Sequence, residues 1–399
     1  MKKNSLLLLL IFLCFSLFGQ QTWHTDWTIS IGENQFKTQQ FTAISFQLPA
    51  DISPTDITLK IGDRSVPILV DEHVELDGYW QSVLQVFTDS VFTIQSNKAF
   101  QLKGLFQYIP SIIINHKQLD LREGNCEMPI MIPPSVWRAG LADPKPNPIA
   151  TATRHGIIHH SASGNGQTNY TDLVRGYYVY HTQTNGWDDI GYNFLIAYDG
   201  TIYIGRDQQQ LNVPQYQVQG AHFCSKNVGT FGTCLIGNYS DTAPSDTMLK
   251  SLTKLMAWVL YRESISALDS SPHPTATDPF LSNVAGHRQG CATECPGDST
   301  FLLIQRIRDS VEQTRIKCLP LVKVDDINPK QVLTYTLQEN RLSIEHVQSE
   351  SIGIYNLSGQ CIKTLPSNKG LVMFDIGSLS AGMYIALVGQ QGFIRFLKE

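Results

Sequence analysis

Apolar and polar positions alternate along the first stretches with structural character. Trp27-Thr28-Ile29-Ser30-Ile31, Ile57-Thr58-Leu59-Lys60-Ile61, Val83-Leu84-Gln85-Val86-Phe87 and Val91-Phe92-Thr93-Ile94 follow a two-residue period. Turn residues such as Gly62-Asp63 and Asp77-Gly78 separate them. A two-residue period means strands with one buried face, so residues 21–121 predict a β-sandwich-like domain. Pro133-Pro134, Pro144, Pro146 and Pro148 then break regular structure, and residues 122–153 predict a linker and entry to the next domain.

The pattern changes over residues 154–316. Arg154 to His160 is an apolar run ending in two histidines, a buried strand. Leu173, Val174, Tyr177, Tyr178 and His181 fall at helical spacing, with Thr171 or Asp172 as the cap. Asp199-Gly200 between two apolar runs predicts a hairpin, and residues 230–237 another strand. Leu249, Leu252, Leu255, Met256, Val259 and Leu260 make one face of a long helix over 245–265. A last helix is expected over 298–313. Strands alternating with helices predict a central α/β domain, a mixed sheet flanked by helices. Residues 317–330 read as a second linker. Leu342-Ser343-Ile344, Ile352 to Tyr355, Val372 to Phe374 and Tyr384 to Val388 predict a small β-sandwich over 331–399. The fold class is therefore multidomain: a central α/β domain between an N-terminal all-β domain and a C-terminal β-sandwich.

Residues 1–20 read as a secretory signal peptide, with Lys2 and Lys3 before an apolar stretch. A membrane anchor is the rival, but the run is short and ends at Gly19-Gln20-Gln21. The expectation is an exported protein, secreted or at the cell surface. Charge changes the picture only by subtraction. Net charge is −5, and no Lys/Arg run points to nucleic acid. Of eight cysteines, Cys14 lies in the signal segment. Export permits disulfides: Cys224 with Cys234 is the leading pairing, and Cys126 with Cys318 would staple the flanks of the middle domain.

The candidate chemistry sits in two stretches. Gly286-His287-Arg288-Gln289-Gly290-Cys291-Ala292-Thr293-Glu294-Cys295-Pro296-Gly297 places a histidine and a cysteine eight residues apart on a loop. Gly156-Ile157-Ile158-His159-His160-Ser161 delivers a histidine to a strand end. Two imidazoles and a thiolate supply three zinc ligands and leave the fourth tetrahedral position for water, the layout of a catalytic site. Alone, each residue reads more simply as a core histidine or a disulfide cysteine; the joint pattern favours Zn2+. His159 and His160 compete for the first ligand, since neighbours on a strand point to opposite faces. Tyr192, after Gly191, is a candidate donor to an oxyanion, against a plain core tyrosine. Thr293 lies two residues before Cys295 and can orient water, against a hydroxyl bonding local backbone.

Residues from about 130 to 316 resemble the zinc-dependent N-acetylmuramoyl-L-alanine amidases, which include peptidoglycan recognition proteins and phage lysozyme-type amidases. The resemblance rests on the two stretches above, with Gly186-Trp187-Asp188-Asp189-Ile190-Gly191-Tyr192-Asn193-Phe194, Asp199-Gly200-Thr201-Ile202-Tyr203-Ile204-Gly205-Arg206, Gly220-Ala221-His222 and Leu235-Ile236-Gly237-Asn238. It implies that His159, His287 and Cys295 hold zinc and that Tyr192 and Thr293 assist catalysis. Phage members carry lysine at the Thr293 position and animal enzymes threonine. Non-catalytic members lose the cysteine ligand; Cys295 is present. His181, Trp187 and His222 are implied in substrate binding, with Gly186-Trp187 pointing to diaminopimelate-type stems. Cys291 is either an alternative ligand or a disulfide partner. The implied reaction is hydrolysis of the amide between N-acetylmuramic acid and L-alanine, and the implied partner is peptidoglycan or muropeptides. A peptidoglycan-binding module without catalysis is the alternative.

The C-terminal stretch resembles the type IX secretion sorting domain of Bacteroidetes, through Ile352-Gly353-Ile354-Tyr355-Asn356-Leu357-Ser358-Gly359, Asp375 to Ile385 and Phe393-Ile394-Arg395-Phe396-Leu397-Lys398. This implies the type IX secretion machinery as a second partner.

Overall fold

The computed structural model describes residues 20–398 apart from 73, 75, 88, 113–126, 167, 274–279, 319–332, 339, 348–350, 357–360, 367–369, 381, 390 and 391. Two compact units result, Met1–Thr314 and Arg315–Glu399. The signal segment lies outside the described residues up to residue 19, and so does Cys126 of the expected Cys126–Cys318 bridge.

The first unit opens with two antiparallel sheets. One orders Gln21–Ile29, Phe100–Tyr108, Ala43–Pro49 and Tyr79–Gln81; the other orders Gly32–Lys37, Val91–Ser96, Ile57–Ile61 and Arg64–Val66. Burial alternates residue by residue along Gln21–Ile29 and Ile57–Ile61, as the sequence period requires. Ile44 and Phe46 from one sheet share a core with Leu59, Phe92 and Ile94 from the other.

The central sheet contains β1 (His155–His160), β2 (Phe194–Ile196), β3 (Ile202–Ile204), β4 (Thr230–Leu235) and β5 (Val284–Gly286), in spatial order β3-β2-β4-β1-β5. Pairing is parallel except for the β2–β3 hairpin across Asp199-Gly200. Every residue of β1, β2, β4 and β5 is buried. These strands do not alternate, because both faces of a parallel sheet are covered.

Three helices provide the cover. α1 (Tyr170–Val179) is capped by Asn169, whose side chain accepts the Asp172 N–H, and runs into a π-helical turn, Tyr180–Thr184. α2 (Asp246–Arg262) is capped by Ser245, which accepts the Met248 N–H at 3.1 Å. Met248, Leu252, Leu255, Met256 and Val259 recur at three- and four-residue steps and pack on Ile158, Phe194 and Ile196. Truncating a fully buried leucine such as Leu252 to alanine costs about 2–5 kcal/mol. The helix expected over 298–313 forms as two pieces, Asp298–Phe301 and α3 (Ile304–Lys317). Ser299 ties the first piece to the Tyr239 and Ser240 carbonyls, whereas Ile304, Ile307 and Val311 anchor the second in the core.

α1 is also where the all-β region docks. Ala43, Leu84 and Ile109 join Leu173, Val174 and Tyr177 in one apolar cluster. Gln107 Nε2 donates to the Gly176 carbonyl at 3.2 Å. A Cβ at Gly176 would meet that amide at 3.1 Å and Leu84 at 3.5 Å, so the two regions approach closely there. The C-terminal unit has two antiparallel sheets, with Leu342, Ile344 and Phe374 from one and Ile352, Ala386 and Phe396 from the other in a shared core. Among the described residues, no helix is long and apolar enough to cross a membrane.

Candidate metal centre

The site is assembled at the C-terminal edge of the parallel strands, where open α/β sheets place their ligands. Ile158 pairs with Gly286 in parallel register. The next residues, His159 and His287, therefore emerge side by side, with ring centroids 4.4 Å apart. β5 was not foreseen in the sequence; its three residues are too few to show a period. It is the element that carries His287 to the site.

The loop after His287 folds back on itself. Arg288 N–H donates to the Cys295 carbonyl at 2.9 Å. The Arg288 guanidinium holds the Glu294 carbonyl and reaches Asp298 Oδ1 at 2.6 Å. Thr293 Oγ1 accepts the Cys295 N–H at 2.9 Å, so its hydroxyl shapes the loop that presents the thiol.

The loop closure brings three ligand atoms together. The donor atoms of His159, His287 and Cys295 lie within 4.8 Å of one another. The residues are 0%, 2% and 6% exposed, so the donors are buried at the edge of the cleft. Cys295 Sγ is 3.7 Å from His159 Nδ1. Tetrahedral zinc with bonds of about 2.0 Å to nitrogen and 2.3 Å to sulfur separates two such atoms by about 3.6 Å. Burial pushes the Cys295 thiol up, partly offset by the His160 N–H that donates to Sγ at 3.3 Å. A cation among these atoms would reverse that balance and stabilise the thiolate. Spacing, burial and the mixed nitrogen and sulfur donor set fit zinc. His160 does not join them. Its Nδ1 accepts the Tyr239 N–H at 3.3 Å, on the other side of the strand.

His222 sits elsewhere than expected. It does not line the open cleft: it is 1% exposed, and its Nδ1 lies 3.0 Å from His159 Nε2. Its own Nε2 is 3.4 Å from Thr230 Oγ1. His222 thus backs the ring nitrogen of His159 that faces away from Cys295, the position from which an outer partner fixes a metal-ligating imidazole. Two glycines make this possible. A Cβ at Gly220 or Gly232 would lie 2.4 or 2.5 Å from the His222 ring. Those glycines were the available signal in the sequence.

The leading disulfide is also corrected. Cys224 bonds to Cys291, and Cys234 is free and fully buried. Cys234 faces the α1-side core opposite His159 on the neighbouring strand, out of reach of the exposed loop of Cys224. The bridge joins the His222 loop to the metal loop, and Cys291 is therefore not a competing ligand.

The remaining predicted residues surround an open cleft. The Tyr192 ring lies 5.3 Å from His159 and 5.9 Å from His181. Burial holds the Tyr192 phenol well above its usual range, so it stays a donor. His181 stacks on Trp187 at 4.6 Å, and its Nδ1 accepts the Gly191 N–H at 3.2 Å. Cys295, Tyr192, His181 and His160 line a cavity of about 370 Å³, the size range of small-ligand sites.

Residues 149–298 match the family model described as N-acetylmuramoyl-L-alanine amidase. An N-acetylmuramoyl-L-alanine amidase of Sus scrofa is 28% identical over 209 residues, 51% of this chain and 32% of that protein. Peptidoglycan-recognition protein SC1a of Drosophila melanogaster is 31% identical over 145 residues, 36% of this chain and 67% of that protein. Among solved structures, wild-type Drosophila PGRP-LB is 30% identical, with 44% of this chain and 92% of that chain covered and a TM-score of 0.35. The chain spans 32% or less of the two mammalian amidases it matches. Since the matched residues contain His159, His287 and Cys295 in one cluster, and the fruit-fly relative is covered over two thirds of its length, the chain belongs to the family of N-acetylmuramoyl-L-alanine amidases and peptidoglycan-recognition proteins.

Proposed function

We propose that this protein is a zinc-dependent amidase that hydrolyses the bond between the lactyl group of N-acetylmuramic acid and the L-alanine of the stem peptide. The observation that carries this reading is the buried His159, His287 and Cys295 cluster, with ligand atoms within 4.8 Å. Zinc held there supplies Lewis-acid activation of water and of the amide carbonyl. The chain's own residues do the rest. His222 Nδ1 holds the His159 ring in place at the Nε2 of His159. Tyr192 keeps its phenolic proton and donates a hydrogen bond to the oxygen that becomes negative as the carbonyl is attacked. Thr293 holds the loop backbone at Cys295 and turns its remaining hydroxyl hydrogen to the reacting water. His181 and the ring stacked on it, Trp187, bind the stem peptide.

The same reading has the chain exported through its first 20 residues, with the C-terminal unit as a type IX sorting domain. Intact mass of the protein recovered from the medium tests both termini.

The reaction is tested by mass spectrometry of a muramyl peptide incubated with the full chain. The expected result is release of the free stem peptide, lost with a chelator and restored by zinc. An intact substrate that stays bound to the protein would replace the amidase by a peptidoglycan-binding module. An intact and unbound substrate would remove both.

A further inference from the structure

The cleft beside the metal centre is not built by the amidase-family residues alone. Its opposite wall comes from the N-terminal all-β region, through Leu69 to Glu72 with Val83 and Leu84. The family match begins only at residue 149.

The wall is fixed by buried contacts rather than resting loosely on the site. Tyr180, in the turn that also carries His181, donates its hydroxyl to Asp71 Oδ2 at 2.7 Å. Gln81 Nε2 donates to the Tyr180 oxygen at 2.8 Å and to Asn185 Oδ1 at 3.0 Å. Asp71, Gln81 and Tyr180 are all buried. Removing one partner from such a set leaves buried polar groups exposed to a dry interior, so the two regions hold one geometry.

A second cavity of about 230 Å³ is lined by Arg64 to Pro67 and Gln85 to Phe87 on one side, and by Ser163 to Gly166 on the other. The same three chain segments therefore pass from the metal-side cavity to its neighbour.

Charge gives the wall a chemical preference. The charged side chains lining the metal-side cavity are Asp71, Glu72 and Glu294, and no lysine or arginine lines it among the described residues. Asp71 is engaged with Tyr180. Glu72 is exposed on the cleft side of a turn and is the wall's available carboxylate.

We propose that Leu69–Glu72, with Val83 and Leu84, form a ligand-binding wall of the active cleft, and that Glu72 selects stem peptides bearing a free side-chain ammonium. This rests on the amidase reading above. It makes substrate choice a joint property of two regions, only one of which carries the metal ligands.

The test uses the zinc-loaded full chain and two muramyl peptides. One has lysine at the third stem position; the other has the same lysine acetylated on Nζ, which removes the charge and keeps the chain. The readout is the ratio of kcat/KM for the two. The wild-type ratio should favour free lysine roughly two- to five-fold, the effect of one exposed ion pair. Glu72→Gln should bring it to about one, and Glu72→Lys should invert it. Calorimetric Kd values for the same pair should follow the same order, which separates binding from turnover. An unchanged ratio in both variants, with both peptides still cut, overturns the wall's selectivity and leaves the amidase standing. If the wild-type protein neither cuts nor binds either peptide, the amidase reading fails and this inference with it.

Discussion

The two ends of β1 carry histidines of nearly equal burial and different consequence. At the start of the strand, His155 is 1% exposed; at its end, His159 is 0% exposed. Four residues apart, they sit on the same side of the strand. His155 Nδ1 is 3.3 Å from the Ser282 carbonyl, and its ring meets His273 edge-on at 5.1 Å. A backbone carbonyl and a second imidazole make a satisfied core histidine. His159 instead has a thiol 3.7 Å from Nδ1 and an imidazole 3.0 Å from Nε2. The difference lies in the partners: among the described residues, the second end gathers His159, His287 and Cys295 with donor atoms close enough to hold one cation. Burial alone identifies neither role, and the end of the sheet at which a residue emerges decides which partners it meets.

The strongest way to break the contrast is to remove ligands from the His159 end. His287→Ala and Cys295→Ser should each abolish bound zinc. Each should lower kcat by about three orders of magnitude or more, the worth of several kcal/mol of charge stabilisation. Elemental analysis of the purified variants reads the metal independently of activity. A variant with a full equivalent of zinc and normal turnover would sink the assignment. His155→Gln should retain the metal.

Next in size is the bridge that clamps the active end. Cys224–Cys291 closes a loop with a sequence separation of 67. Loop closure of that length is worth about 4 kcal/mol in the chain-entropy account. The double variant Cys224→Ser, Cys291→Ser should therefore unfold in denaturant with a loss of about 2–4 kcal/mol. The loss should be larger when zinc is present in excess, because a metal loop without its clamp binds zinc more weakly and forfeits part of the stabilisation the metal gives the native state. Equal losses with and without zinc would show that bridge and metal stabilise separate parts.

The His155 end is probed by pH. Burial lowers its pKa to about 4 from 6.5, with the His273 ring adding a smaller like-charge effect. A base whose folded pKa is depressed favours folding most above 6.5, and that contribution is lost as pH falls toward 4. Between pH 7.5 and 4.5 the loss should be about 2–3 kcal/mol from this residue. Urea titrations at both pH values on the wild type and on His155→Gln isolate it. The variant should lose that much less stability than the wild type on acidification; equal losses would assign the acid sensitivity elsewhere.

Much of this architecture is legible before any coordinates. α2 shows itself because Leu252, Leu255, Met256, Val259 and Leu260 recur at helical steps, although Met248 and not Leu249 completes the buried face. The hairpin follows from Asp199-Gly200, where Gly200 adopts φ +88°. His287 and Cys295 stand out as a histidine and a cysteine eight residues apart on one loop, and His159 joins them as a histidine at a strand end. Other features depend on distant contacts and leave no local trace. β5 has three residues, too few for a period. The Cys224–Cys291 bridge is one of many pairings that any set of cysteines allows. The docking of the all-β region on α1 rests on Tyr180, Gln81 and Gln107, polar residues that read as surface until their partners are known.

His222 is the sharpest test of whether partners define a site, because it touches no candidate metal atom directly. Its Nδ1 faces His159 Nε2 at 3.0 Å, and the bare backbone at Gly220 and Gly232 makes room for its ring. If it fixes the His159 ring, then His222→Ala should weaken zinc binding about 10- to 100-fold, the usual effect of losing an outer partner. Gly232→Ala should act in the same direction from behind, since its Cβ would start 2.5 Å from the ring and push it off His159. Competition against a chelator measures both without reference to turnover. Thermal melts of the metal-free proteins separate positioning from packing: a positioning role weakens the zinc constant by more than the fall in metal-free stability can account for. If the zinc constant is unchanged in both variants, His222 is a packed core histidine like His155, and the distinction between the two ends of β1 contracts to the three ligands themselves.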